Sequence, residues 1–308
     1  MHDVTYLQAV LLGLLQGLTE FLPVSSTAHM EIAPQLCGMH DPGAAFSAIV
    51  QLGPMVAIIA YFRKDLARYV QGIFRTRSPT SPKLEKDVDA RLGWFTLLGT
   101  LPICVFGLLL EKKIDHEFRD MRVTAAMLIL LALVLLVAEK IGKRNHSLES
   151  LTLKQSQGIG WAQVLALIPG TSRSGVTITA GLLQGLDRES AARFSFLLSI
   201  PAITLAGLYK LFKVAKDHGL HGDTGPYVLA ALVAGVFAYV VVRWFLGYMK
   251  EHNTVVFIVW RIVLGVALLL LLHFGFVQKY APDDDVATKT PATAASATSP
   301  TDANPAAP

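Results

Sequence analysis

Charge is scarce in this chain. Of its 308 residues 16% are Asp, Glu, Lys or Arg and 53% are hydrophobic, a balance too apolar for a soluble enzyme and suited to a polytopic membrane protein in a lipid bilayer. Cysteine is scarcer still. Cys37 and Cys104 lie in or beside apolar stretches without CxxC spacing, which excludes a zinc cluster and a disulfide scaffold and leaves both as packing residues. The net charge is only +4, and the basic residues gather between apolar stretches, not in one stripe, so nucleic acid is excluded as a partner. The first apolar stretch lacks a basic lead-in and a small-residue cleavage site, so no cleavable signal peptide is expected.

What the chain has in abundance is apolar length. Six stretches approach the ~20 residues needed to cross a bilayer: roughly 46 to 62, 92 to 110, 121 to 138, 192 to 212, 226 to 247 and 255 to 277. Four shorter ones come in two broken pairs, 4 to 21 with 24 to 38 and 157 to 168 with 174 to 186. Each pair reads as a re-entrant helical hairpin, because irregular backbone at membrane depth is tolerated only where protein or a polar cavity surrounds it. The expected fold is therefore all-α, with about ten helices, six of them spanning. Residues 1–280 form one integral membrane domain, and 281–308 is an Ala/Thr/Pro-rich tail with nothing to bury, expected to be disordered. Arg63, Lys64, Arg68, Arg75, Arg77, Lys83, Lys86 and Arg91 place the segment between the first two spans in the cytoplasm. Alternation then puts 111–120 and both termini outside, opens the first hairpin outward and opens the second to the cytoplasm.

Setting Pro23 over Pro169 lays "PVSSTAH" on "PGTSRSG" and, further on, "FSAIVQLGPMVAIIAYFRKDL" on "FSFLLSIPAITLAGLYKLFKV". The chain looks duplicated, with repeats at about 1–140 and 150–280. Three spans per copy is an odd number, so the second copy enters inverted, a known way to build a polar site between broken helices. Chance resemblance between apolar segments is the alternative.

The breaks carry the chemistry. Gln16 and Glu20 share a helical face, followed by Ser25, Ser26, Thr27 and His29; the second break offers Gly170, Thr171, Ser172, Arg173 and Ser174. Helix N-termini attract anions, and the planar fork of Arg173 suits phosphate. The proline alignment sets Ala162 and Ala166 opposite Gln16 and Glu20, and Thr27 opposite Arg173, so one composite site is a better account than two half-sites. Plainer roles stay open. The serines can be helix caps, His29 a bonded structural residue, and Glu20 with Arg173 a buried ion pair. Glu31, Gln51 and a snorkelling Arg261 are given no functional role.

At these residues the sequence resembles the undecaprenyl-diphosphatase family, the bacitracin-resistance type of integral membrane phosphatase. "QGLTEFLPVSSTAH" is similar to its first signature and "PGTSRSG" to its second, and the resemblance runs over about residues 1 to 277. It implies removal of the terminal phosphate of a polyprenyl diphosphate lipid, undecaprenyl diphosphate, to recycle the carrier for peptidoglycan synthesis. It also implies a bacterial inner membrane, a site facing the periplasm, and a divalent cation, Mg2+ or Ca2+. Glu20, Ser26, His29 and Arg173 match the family's central residues, with Ser25, Thr27, Gly170, Thr171, Ser172 and Ser174 around them. Gln16 departs from members with Glu there. An amide is no base and a weaker metal ligand than a carboxylate, so Gln16 is assigned to phosphate binding and Glu20 alone to the metal. Ser26 is the expected nucleophile, with His29 or Glu20 handling protons; water or His29 as nucleophile stays open, as does a homo-oligomer. The rival reading from another class is an inverted-repeat transporter or flippase of a phosphorylated polyprenyl lipid.

Overall fold

The computed structural model describes residues 4–39, 43–110, 120–217 and 224–279; most of the expected outer loop at 111–120 and the expected disordered tail lie outside them. The described residues form α1 (Tyr6–Thr19), α2 (Ser26–Leu36), α3 (Gly43–Val50), α4 (Leu52–Thr76), α5 (Val88–Leu109), α6 (Met121–Ile141), α7 (Leu153–Gln163), α8 (Arg173–Leu183), α9 (Arg188–Asp217), α10 (Gly225–Glu251) and α11 (Val255–His273). There is no sheet among them, only an isolated bridge between His146 and Leu186. Six helices are long and apolar enough to cross a membrane, with α3 and α4 together supplying the first. The protein is a multi-pass membrane protein.

The first span departs from its expected end. Apolar character stops near residue 62, yet α4 runs on to Thr76. Its last turns are amphipathic and held from outside the bilayer stretch: Asp65 pairs with Arg68 and, 3.2 Å away, with Arg193 of α9. The helix also breaks between α3 and α4 at Gln51. Pro54 has no N–H to give the carbonyl of Val50, so the backbone ladder is interrupted there. Asp87 caps α5 by accepting from the N–H of Ala90 at 3.0 Å and pairs with Arg75 at 2.8 Å. The Ala90 N–H first, and the Arg75 guanidinium after it, hold the Asp87 carboxyl below the usual carboxylate range.

Two stretches of chain repeat one another in conformation. Thr5 and Thr152 each open a helix with a capping box closed by a glutamine, Gln8 and Gln155. Ser25 and Ser172 each cap an 11-residue helix from a left-handed conformation, φ 69° and 66°. Gly38 and Gly185 both end those helices with positive φ. Every pair is separated by 147 positions (152 minus 5, 172 minus 25, 185 minus 38). The proline alignment, at 146 (169 minus 23), is therefore off by one at the breaks. It is Ser26 that lies over Arg173, and Gln16 over Gln163.

Each stretch is anchored on a long helix. α1 lies on α10 and α7 lies on α5, so the first helix of each stretch packs on a long span outside it. Small residues permit it: a Cβ on Gly13 or Gly17 would sit 2.5 Å from the carbonyl oxygen of Ala230 or Ala234, and one on Gly160 would sit 2.1 Å from that of Gly99. With lipid on the outside, close backbone approach of this kind replaces hydrophobic driving force as the source of helix association.

A second tie lies at the helix ends. Glu139, 5% exposed at the end of α6, accepts from Arg188 Nε at 2.7 Å, pairs with Arg144 at 3.2 Å, and accepts from the Thr254 hydroxyl at 2.8 Å. One carboxylate thereby joins α6, α9 and the turn before α11. Removing one partner of a buried pair leaves the other uncompensated, so Glu139→Ala is expected to cost about 3 kcal/mol. Arg188→Ala and the double variant complete the test. The double loss, measured by unfolding in detergent, should fall well short of the sum of the singles; additivity would deny the coupling.

Candidate active site

The two broken stretches meet at their breaks. α1 ends at Thr19, and Glu20 stands as its C-cap, 8% exposed. Both of its carboxylate oxygens accept hydrogen bonds. Oε2 accepts from the Ser26 hydroxyl at 2.7 Å and from Gln16 Nε2 at 2.9 Å; Oε1 accepts from Arg173 Nη2 at 3.0 Å. Carboxylate, hydroxyl, amide and guanidinium thus form one charge-assisted cluster, with the guanidinium coming from 153 residues away along the chain.

Local backbone geometry aims the two key side chains. At each break a serine takes a left-handed conformation that costs a non-glycine residue roughly 1–2 kcal/mol. Ser25 accepts from the N–H of Ala28 and Ser172 from that of Gly175, at 3.4 and 3.2 Å, which offsets the strain with a helix cap. The next residue, Ser26 or Arg173, is then the first of its helix and is thrown into the space between the breaks. Gly170 precedes the second cap at φ 83°, with Thr124 of α6 so close that a Cβ would sit 2.2 Å from its carbonyl oxygen. The breaks are also latched directly, since the Ser174 hydroxyl donates to the Leu22 carbonyl at 2.8 Å.

Between them lies a cavity of about 200 Å³ lined by Glu20, Ser25, Ser26, Thr27, Gly170, Ser172 and Arg173, with Gln51 from the α3–α4 break. Its remaining wall is apolar, from Ile103, Ala166, Ile168, Ala202, Ile203 and Ala206. Arg173 Nη1 is buried without a hydrogen-bond partner, and Phe21 lies 6.0 Å from the guanidinium carbon. An unpaired guanidinium N–H beside two helix N-termini is an anion site with one donor still to be filled.

Of the residues singled out from sequence, Gln16 touches Glu20 without lining the cavity. Thr171 is fully buried and its hydroxyl has no partner; Ser174 serves the latch. His29 faces elsewhere. Its Nε2 accepts from the indole N–H of Trp260 at 3.0 Å, the rings being parallel within 2°, and its Nδ1 lies 2.8 Å from the Ser25 carbonyl. Because Nε2 accepts, the proton is on Nδ1 and is donated to that carbonyl. Both ring nitrogens are engaged away from Ser26.

Two residues set aside from sequence take places at the site. Gln51 lines the cavity, and the signal for it was Pro54, which breaks the helix there. Arg261 does not snorkel: its side chain is 0% exposed and it donates to the carbonyls of the second break. An arginine mid-way along a span of high apolar content was the available sign. Cys37 is exposed at the end of α2 and Cys104 is half-buried, so Cys37 is not a packing residue.

The donors at the site suit a divalent cation only in part. Among the described residues no three His, Cys, Asp or Glu side chains come together. Glu20 is the one carboxylate of the cavity lining, and the amide nitrogen of Gln16 donates to it. Mg2+ is commonly held by one or two carboxylates with the rest of its shell from water and substrate phosphate. The residues fit a cation of that kind and do not form an all-protein cage.

The sequence model of the family described as bacitracin resistance protein BacA matches residues 9–267. The undecaprenyl-diphosphatase of Myxococcus xanthus is 48% identical over 276 residues, covering 88% of this chain and 91% of its own. That of Pseudarthrobacter chlorophenolicus is 48% identical over 281 residues, 89% and 100% of the two chains. That of Chloroherpeton thalassium is 45% identical over 285 residues, 89% and 99%.

The left-handed serines yield a stability test. Alanine at position 172 keeps the strain and loses the cap, so Ser172→Ala should destabilise by about 1 kcal/mol. Ser172→Gly loses the same hydroxyl but adopts φ 66° freely, and should be the more stable of the two by a similar margin. Equal unfolding temperatures in detergent would mean that the backbone conformation at 172 is not the strained one described.

Proposed function

The chain belongs to the bacitracin resistance protein BacA family, and from that premise we infer that it is an undecaprenyl-diphosphatase, hydrolysing undecaprenyl diphosphate to undecaprenyl phosphate and inorganic phosphate. The observation that carries the reading is the Ser26 hydroxyl donating to Glu20 at 2.7 Å, in a cavity where Arg173 holds an unfilled donor. Transport, the rival reading, gains no support from the names of the relatives.

In the mechanism we propose, the terminal phosphate enters between the N-termini of α2 and α8. Its oxygens take the free Nη1 of Arg173 and the N–H groups of the two helix starts, and the apolar wall receives the beginning of the prenyl chain. Ser26 Oγ attacks the terminal phosphorus as its proton passes to Glu20. The anhydride P–O bond breaks, and its electron pair leaves with undecaprenyl phosphate. Water then attacks the phosphoserine, the Oγ–P bond breaks, Ser26 Oγ takes back the proton held by Glu20, and the proton lost by the water leaves with inorganic phosphate. Developing charge on the phosphoryl oxygens is stabilised by Arg173 and the helix ends, which is most of what phosphoryl transfer asks of a protein. Glu20, not His29, serves as base in this scheme, since both nitrogens of His29 are engaged elsewhere. His29 acts through Ser25, whose carbonyl it holds. Thr27, Ser172 and Gly170 supply further contacts to phosphate, and Gln16 orients Glu20. A divalent cation, when bound, would be held by Glu20 and would neutralise diphosphate charge.

The setting we propose is a bacterial inner membrane. The basic stretch from Arg63 to Arg91 would lie in the cytoplasm, the two broken stretches would be oppositely directed re-entrant hairpins, and the site would open to the periplasm.

Purified protein in detergent should release phosphate from undecaprenyl diphosphate. Glu20→Gln and Arg173→Ala should each lower kcat by about 100-fold or more, while His29→Gln, which retains a donor and an acceptor, should lose about tenfold at most. A single-turnover quench should trap phosphate on Ser26. A catalytically competent Ser26→Ala variant, or no phosphoenzyme under those conditions, would sink the nucleophile assignment.

A further inference from the structure

Arg261 is the largest fully buried side chain of the described residues. It sits on α11, and no carboxylate among the described residues pairs with it. Its Nη2 donates to three backbone carbonyls, those of Thr171 at 2.9 Å, Gly170 at 3.2 Å and Met127 at 3.3 Å. Nε and Nη1 have no acceptor. A Cβ on Gly175 would stand 2.5 Å from Nη1, so the first turn of α8 rests against the guanidinium. An unneutralised cation inside a membrane protein is costly, and carbonyl dipoles repay only part of that cost.

Where those bonds land is informative. Gly170 and Thr171 are the two residues before left-handed Ser172, and Arg173 follows it. Arg261 thus grips the backbone whose conformation aims Arg173. It also changes the charge of the site. Glu20 and Arg173 cancel, so Arg261 leaves the cradle with one positive charge in excess before substrate arrives, which favours a polyanion in a low-dielectric setting.

We propose that Arg261 is a positioning residue for the diphosphate site, fixing the Gly170–Thr171 carbonyls so that Arg173 points into the cavity and placing an unpaired positive charge behind the cradle. The proposal rests on the phosphatase reading, and its two parts separate experimentally. Arg261→Lys keeps the charge and loses the fork, Arg261→Met loses both, and Gly175→Ala keeps the charge while pushing the guanidinium aside, its methyl also meeting Ser172 Cβ and Oγ at 3.1 Å. The readouts are kcat with undecaprenyl diphosphate, competitive inhibition by inorganic pyrophosphate, and unfolding temperature in detergent. Arg261→Lys and Gly175→Ala should lower kcat by about tenfold or more with pyrophosphate inhibition within about threefold of the native protein. Arg261→Met should lower kcat by about 100-fold and weaken pyrophosphate by about tenfold or more. Native kcat in Gly175→Ala and Arg261→Lys would overturn the positioning role, and that result remains accessible if Arg261→Met does not fold. Unchanged pyrophosphate inhibition in a folded Arg261→Met would overturn the electrostatic one. Should the native protein release no phosphate at all, the phosphatase reading fails by itself, while calorimetric titration with pyrophosphate still tests Arg261 at the anion site.

Discussion

Backbone groups inside a bilayer have no water to bond, and every feature of this site follows from that constraint. Helices satisfy their own interiors; the two breaks cannot. Here the second break is met by Arg261 on its carbonyls, by Ser172 on the N–H of Gly175, and by Ser174, whose hydroxyl reaches across to the carbonyl of Leu22 in the first. The first break is met by Ser25 and by His29 on the Ser25 carbonyl. Among the described residues that line the cavity, Arg173 Nη1 is the one buried side-chain atom left without a partner. Irregular backbone, costly elsewhere in such a protein, is concentrated beside that free donor.

The ion pair between Glu20 and Arg173 belongs to the same logic. A buried pair is seldom a net source of stability, and this one is not saturated, since the guanidinium keeps a free N–H and the carboxylate also holds Ser26. It joins two stretches of chain that share conformation but not side chains. Position 26 carries a hydroxyl and its counterpart at 173 a guanidinium; position 20 carries a carboxylate and its counterpart at 167 is leucine. Similar backbones present unlike groups to a common space, and that asymmetry makes one polar cavity from two breaks.

Much of the fold was legible in sequence because membrane spans announce themselves by length. The six long apolar helices fall where their runs lie, and the breaks fall at Pro23 and Pro169, as proline chemistry requires. The end of the first span was misjudged because α4 continues as an amphipathic helix whose polar residues find partners on α9 and in the segment after it. The repeat register was misjudged for a different reason. Aligning the prolines assumes that they hold equivalent places, whereas Pro23 stands two residues before its serine cap and Pro169 stands three before its own. The cap, held by a hydrogen bond and a left-handed φ, is the feature that the two stretches share.

The sequence by itself determined which residues are too polar for their surroundings, hence that Glu20, Ser26 and Arg173 need a reason, because the cost of burying polar groups in an apolar run is local. Only the tertiary structure decided where such groups point. His29 turns to Trp260, Gln51 turns into the cavity, and Arg261 lies behind the second break instead of reaching for the membrane surface. Those outcomes depend on which helix stands beside which, and that is set by close contacts such as Gly13 and Gly17 on Ala230 and Ala234. Contacts between residues more than two hundred positions apart leave no trace in local periodicity.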